Sequence, residues 1–166
     1  MSITLDQLAA SCHRALKADT GPTGRREVCA LVEEACKDKE FVAQHFAAVT
    51  GQRDIIYEDP ELGFCICAHA YHDARESQPH NHGTSWAIYG QAEGETVMSD
   101  WTLVEPAGEG KIGTVRFARS YALKPGMAHL YNEGDLHSPR RDGPTKLLRV
   151  EGTNLDKVRR FGFRAI

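Results

Sequence analysis

Apolar positions at the start of the chain recur with the period of an α-helix. Ile3, Leu5, Leu8, Ala9, Cys12, Ala15 and Leu16 share one face, and Thr4 with Gln7 forms a capping-box pattern at its front. Asp19-Thr20-Gly21-Pro22 breaks the run by turn chemistry. A second helix is predicted with Val28, Leu31, Val32, Ala35 and Cys36 on its buried side, and a short third with Phe41, Val42, Phe46 and Val49. His13 and His45 fall within these helices as surface or packing residues, and nothing pairs them into a site.

From about Gly51 the period changes from 3.6 to 2. Phe64 to Tyr71, Ala87 to Tyr89, Thr96 to Glu105, Val115 to Leu123 and Lys146 to Val150 read as strands. Alternation in Thr96–Glu105 predicts Val97, Trp101 and Leu103 on the buried face, with Asp100 reaching solvent or a polar partner. On Phe64 to Tyr71 it puts Cys65, Cys67, His69 and Tyr71 together. EPAGEGKIG and RRDGP supply turns. Many short strands separated by turns predict a mainly β domain, a sandwich or closed barrel. Residues 1–50 then form a helical segment of that same domain, packed outside a barrel spanning 51–166.

Composition narrows the function classes. Twenty basic and 23 acidic side chains give a net charge of −3, which supplies no electrostatic reason to expect nucleic acid; Arg140-Arg141 is too short a basic cluster to change that. No apolar run reaches the roughly 20 residues needed to span a bilayer, and the N-terminal stretch reads as an amphipathic helix rather than a signal peptide. Five cysteines without framework spacing fit a reducing compartment, so a cytoplasmic protein without a membrane partner is expected. Cys65-x-Cys67 reads as two small residues on one face of a strand.

The chemistry concentrates in histidine. His80 and His82 stand in PHNHGTSWAIYGQAEG, where alternate residues of an extended segment point the same way and both imidazoles reach one point inside a barrel. His137 follows a Gly-Asp turn in KPGMAHLYNEGDLHSP. Three neutral imidazoles suit a first-row transition metal and leave positions open for other ligands. An H-x-H alone is weak; with a downstream glycine, P-G and G-D-x-H it is far more specific.

These residues resemble the cupin superfamily, a double-stranded β-helix or jelly-roll barrel, through His80, His82, Gly94, Pro125-Gly126 and His137. Within it, the stretch from His80 to Trp86 looks like that of cysteine-dioxygenase-like thiol dioxygenases. The resemblance implies a mononuclear Fe(II) held by His80, His82 and His137, with O2 and a small anionic or thiol-bearing metabolite as its partners. The cupin glutamate ligand is absent, because Trp86-Ala87 occupies its place. That fits a three-histidine site. His129 is the rival third ligand, since P-G-x-x-H also resembles the cupin pattern.

The resemblance also implies pocket residues. Arg53 lies 27 residues before His80, close to the family's arginine for a substrate carboxylate, although a solvated arginine at a strand start explains it equally. Tyr71 lies on the strand face that lines the family's pocket. The last strand departs from the family: the serine–histidine–tyrosine arrangement is replaced by Leu147, Arg149 and Glu151, which makes Arg149 a pocket cation if it faces inward. Arg53, Tyr71 and Arg149 are therefore the candidate substrate residues. The loss weakens cysteine itself as the substrate. A Zn(II) or Ni(II) cupin isomerase or hydrolase, or a metal-stabilised binding protein, stands as the alternative.

Overall fold

The computed structural model describes residues 2–49 and 51–166. Three helices come first: α1 (Leu5–Ala18), α2 (Pro22–Lys37) and α3 (Lys39–Phe46). Thr4 and Gln7 form the expected reciprocal capping box on α1, and Pro22 occupies the first turn of α2, where its missing N–H costs nothing. Asp38 ends α2 and caps α3 by accepting from the backbone of Glu40 and Phe41.

Ten strands follow: β1 (Asp54–Glu58), β2 (Cys65–Tyr71), β3 (Arg75–Glu76), β4 (Ala87–Glu93), β5 (Thr96–Glu105), β6 (Gly113–Leu123), β7 (Ala128–Tyr131), β8 (Leu136–Arg141), β9 (Thr145–Glu151) and β10 (Phe163–Ala165). They make two five-stranded sheets, ordered β1-β2-β9-β4-β7 and β10-β6-β5-β8-β3. Every neighbouring pair is antiparallel except β10 with β6. Consecutive strands repeatedly cross between the sheets, as in a double-stranded β-helix.

The first sheet is apolar on the face toward the helices and mixed on the face toward the barrel. Ile66, Ala68, Ile88, Leu148 and Val150 face the helices and join Leu8, Val28, Val32 and Phe41 in one continuous core. Each valine, leucine, isoleucine or phenylalanine among them contributes about 1.5–3 kcal/mol on burial, so the helices are held by packing rather than by propensity. Gly90 is required here: a Cβ would sit 2.4 Å from Val32 Cγ1 and 2.9 Å from the Leu148 carbonyl. The opposite face looks into the barrel, where Ala87, Tyr89 and Leu147 meet Met98, Leu123 and Tyr131.

Two sequence expectations are corrected. Thr96 and Met98, both fully buried, fill the inward face of β5, whereas Leu103 is 49% exposed and Trp101 only half-buried. Alternation is unbroken against β8 from Val97 to Trp101, so Val97, Trp101 and Leu103 all lie on the face opposite Thr96 and Met98. Of the two bulges against β6, one adds Ala118 on β6 and the other Val104 beyond Leu103, and neither shifts Leu103 relative to Val97. Asp100 does find polar partners, Arg119 Nε at 2.7 Å and Tyr121 OH at 3.1 Å. The second correction concerns Arg140-Arg141, read as part of the RRDGP turn. β8 runs on through Pro139 to Arg141; the proline has no N–H to donate, and its carbonyl accepts from Ser77 N.

Candidate metal centre

His80 and His137 sit opposite each other in an isolated antiparallel bridge, exchanging backbone hydrogen bonds of 3.0 and 2.9 Å. This pairing, rather than a regular strand through both H-x-H histidines, sets their common direction. A tight turn from Asn132 to Asp135, with Gly134 at φ 80°, delivers His137 into β8. His82 precedes a second turn, where Gly83 has φ 61° and a Cβ would lie 2.7 Å from the Arg159 carbonyl. Only glycine fits there without displacement.

The three imidazoles converge. One candidate ligand atom from each of His80, His82 and His137 lies within 4.8 Å of the other two. His82 and His137 are buried and His80 partly so. The Gln78 carbonyl is 2.8 Å from His80 Nδ1, and the Asp135 carbonyl is 3.0 Å from His137 Nδ1. Each carbonyl accepts a hydrogen bond from Nδ1–H, which leaves the lone pair on Nε2.

Burial chiefly pushes all three imidazoles below the usual histidine range, His80 to about 4 and His137 well below. All three are therefore neutral donors at pH 7. The buried Nδ1 of His82 has no partner among the described residues. Neutral, desolvated imidazoles, two of them held in one tautomer by a backbone carbonyl, are what a first-row ion requires, so these residues fit a metal. His129, the rival ligand, lies outside the cluster, between Tyr121 and Tyr131 at centroid distances of 5.0 and 4.6 Å.

Aromatic side chains complete the surroundings. The buried Tyr89 hydroxyl is 3.3 Å from both His82 Nε2 and His137 Nε2. The Tyr131 ring stacks on His137 with centroids 3.9 Å apart and 21° between planes. Sequence reasoning missed both tyrosines. The signal for Tyr89 was its place on the same inward face as Ala87; nothing in the sequence marked Tyr131.

No family model matches the chain, and neither does any curated protein. Solved structures do resemble it. A cupin superfamily protein from Desulfitobacterium hafniense shares 13% identity over 61% of this chain and 76% of its own, with a TM-score of 0.44. A cupin-2 domain protein from Shewanella frigidimarina shares 13% over 64% and 87%, at 0.46. A Klebsiella pneumoniae protein with a double-stranded β-helix domain shares 17% over 66% and 80%, at 0.44. The strand order, with consecutive strands crossing between two five-stranded sheets, is that of a double-stranded β-helix, and these likenesses are distant.

Beside His80 opens a cavity of about 320 Å³, lined by Tyr71, Arg75, Tyr89, Arg141 and Arg149 among others. Tyr71 and Arg149 are thus placed at the cavity wall. Tyr71 OH lies 3.1 Å from Nδ1 of the buried His69, and the Arg149 guanidinium lies over the Tyr89 ring at 4.3 Å. Arg53 is placed elsewhere. It does not line the cavity, and its guanidinium is spent on Glu151 at 2.6 Å and Asp156 at 2.8 Å. An arginine committed to two carboxylates is not free to grip a substrate, so the expectation from spacing is corrected here. Cys65 and Cys67 are buried free thiols with burial holding their pKa up, at about 11 and about 12, and they join no metal cluster among the described residues.

Proposed function

We propose that this chain is an oxidoreductase that holds one Fe(II) on His80, His82 and His137 and adds O2 to a small anionic or thiol-bearing metabolite. The observation that supports this reading best is the convergence of three neutral imidazoles at the edge of an arginine-lined cavity. When bound, the ion supplies coordination positions at which substrate and O2 meet in reactive geometry. The chain's own residues do the rest. Arg149 orients an acidic group of the substrate from the cavity wall, and Tyr71 forms the adjacent side. Tyr89 and Tyr131 close the inner end against water. Free thiols throughout and the absence of any helix long and apolar enough to cross a membrane, among the described residues, agree with a cytoplasmic setting.

The test is oxygen uptake by anaerobically purified protein reloaded with Fe(II), across a panel of small thiols and carboxylates. Uptake that needs both iron and one panel member supports the proposal. One observation favours a second reading, a Zn(II) or Ni(II) isomerase or hydrolase: the Tyr89 hydroxyl beside two ligand imidazoles is placed to carry a proton without redox chemistry. Turnover with zinc and no oxygen uptake would select it.

A further inference from the structure

The cavity wall holds more positive charge than the protein neutralises. Arg75, Arg141, Arg149 and Arg160 all line it, and no carboxylate does. Arg149 touches one acid, Glu151, at 3.4 Å, and Glu151 is already bonded to Arg53 at 2.6 Å. Arg141 is the extreme case. It is 3% exposed, and among the described residues it has neither a hydrogen bond nor an ion pair. Its guanidinium carbon lies 4.4 Å from the Tyr71 ring centroid, with Arg75 over the same ring at 5.5 Å. The Nε atoms of Arg141 and Arg149 are both buried without acceptors.

A desolvated guanidinium without an acceptor is costly, and proteins keep such groups where a ligand completes them. One carboxylate would leave the second buried cation as unsatisfied as before. We propose that Arg141 and Arg149 together form the recognition site for a small dianion, either a dicarboxylate or a phosphate-type group, held beside His80. Arg141 anchors the far charge and Arg149 the charge nearer the imidazoles. The cavity volume, at the low end for ligand sites, restricts the guest to a small metabolite. This inference rests on the cavity belonging to the functional site, and it deepens the proposed function by naming the substrate's charge.

Calorimetric titration of the zinc-loaded protein with malonate, inorganic phosphate and acetate tests it without requiring turnover. Both dianions, or one of them, should bind at least tenfold more tightly than acetate; which one binds better tells two carboxylates from a single phosphate-type centre. Arg141→Met should weaken the preferred dianion about 10- to 100-fold, as expected for losing charge-assisted hydrogen bonds, and leave acetate nearly unchanged. Arg141→Lys keeps the charge without the planar fork and should fall between the two. Because an uncompensated buried charge is removed, Arg141→Met should melt no lower than the parent without ligand, and its dianion-induced rise in melting temperature should vanish. Metal-free His82→Ala separates arginine recognition from chelation by zinc. Equal affinity for malonate, phosphate and acetate overturns the proposal. So does unchanged dianion binding in Arg141→Met, or dianion binding that disappears only in His82→Ala. Absent oxygen uptake would remove the dioxygenase reading and leave this one standing.

Discussion

Glu151 is the acid on which the basic side of the barrel depends, and Glu151→Gln measures how much. Its carboxylate is fully buried, accepts from Arg53 Nη2 at 2.6 Å and from Leu155 N at 3.3 Å, and lies 3.4 Å from Arg149. Glutamine keeps the shape and an acceptor for Leu155 but removes the charge shared by two guanidinium groups. Removing one member of a buried ion pair costs about 3–5 kcal/mol. Arg53 is 21% exposed and keeps Asp156 and Asn154, so the lower end, about 3 kcal/mol, applies. At about 2–4 °C per kcal/mol for a chain of this size, the melting temperature should fall by about 6–12 °C. Asp156→Asn is the control, because that carboxylate is 73% exposed and should cost under about 1 kcal/mol. The assay is thermal and urea unfolding of all three proteins at pH 7. If Glu151→Gln melts within about 2 °C of the parent, water or neighbouring dipoles already satisfy the two arginines, and the charge accounting around the cavity is wrong.

His82→Ala should abolish metal retention after dialysis, measured by elemental analysis, while His45→Ala, in α3 and far from the cluster, should retain the full complement. His69 is buried, and burial holds its pKa well below 6.5, so the unfolded chain takes up a proton that the folded chain refuses. Stability is then complete above about pH 6.5 and declines as pH falls; His69→Gln should flatten that decline by up to about 1.4 kcal/mol per pH unit in metal-free protein, read from urea midpoints between pH 7 and 4.5. Gly90→Ala should cost about 1–3 kcal/mol, because its methyl would press into Val32, Cys36 and the Leu148 carbonyl, yet leave metal content unchanged.

The legible parts of the fold were those written in local periods. The α1 capping box, the Asp19–Pro22 break and the buried stripe of α2 depend only on neighbours in sequence, and all are present. The shared face of Cys65, Cys67, His69 and Tyr71 was legible for the same reason, since β2 carries no bulge against β9, but periodicity did not say that this face points inward. The three-histidine cluster was legible through spacing and resemblance, although His80 is aligned by its backbone bridge to His137 rather than by one strand shared with His82. What failed was long-range. Arg53 has the right distance from the H-x-H, but its partners Glu151 and Asp156 lie about a hundred residues away, and no local pattern shows a cation already taken. Arg141 was hidden twice. It stands in RRDGP, read as a turn, and in a basic pair set aside as too short to matter, whereas alternation on β8 exposes Arg140 and buries Arg141.

The same alternation explains why stability and binding chemistry can be altered separately in this fold. Along β9, Leu148 and Val150 face the helices while Leu147, Arg149 and Glu151 face the barrel. The helical side buries a large continuous core of aliphatic and aromatic groups, whereas the barrel interior has only a small apolar cluster between the histidines and the arginines. A barrel filled with so many polar groups is poorly stabilised by its own interior, because each desolvated histidine and guanidinium opposes folding until a ligand or partner satisfies it. The apolar layer contributed by α1, α2 and α3 offsets that deficit from outside, through the opposite faces of the very strands that carry the site. Apolar substitutions at Val32 or Phe41 should therefore change unfolding free energy with little effect on metal or anion affinity. Substitutions at Arg141 should do the reverse, since its side chain contributes a ligand contact and no apolar packing to the helical core.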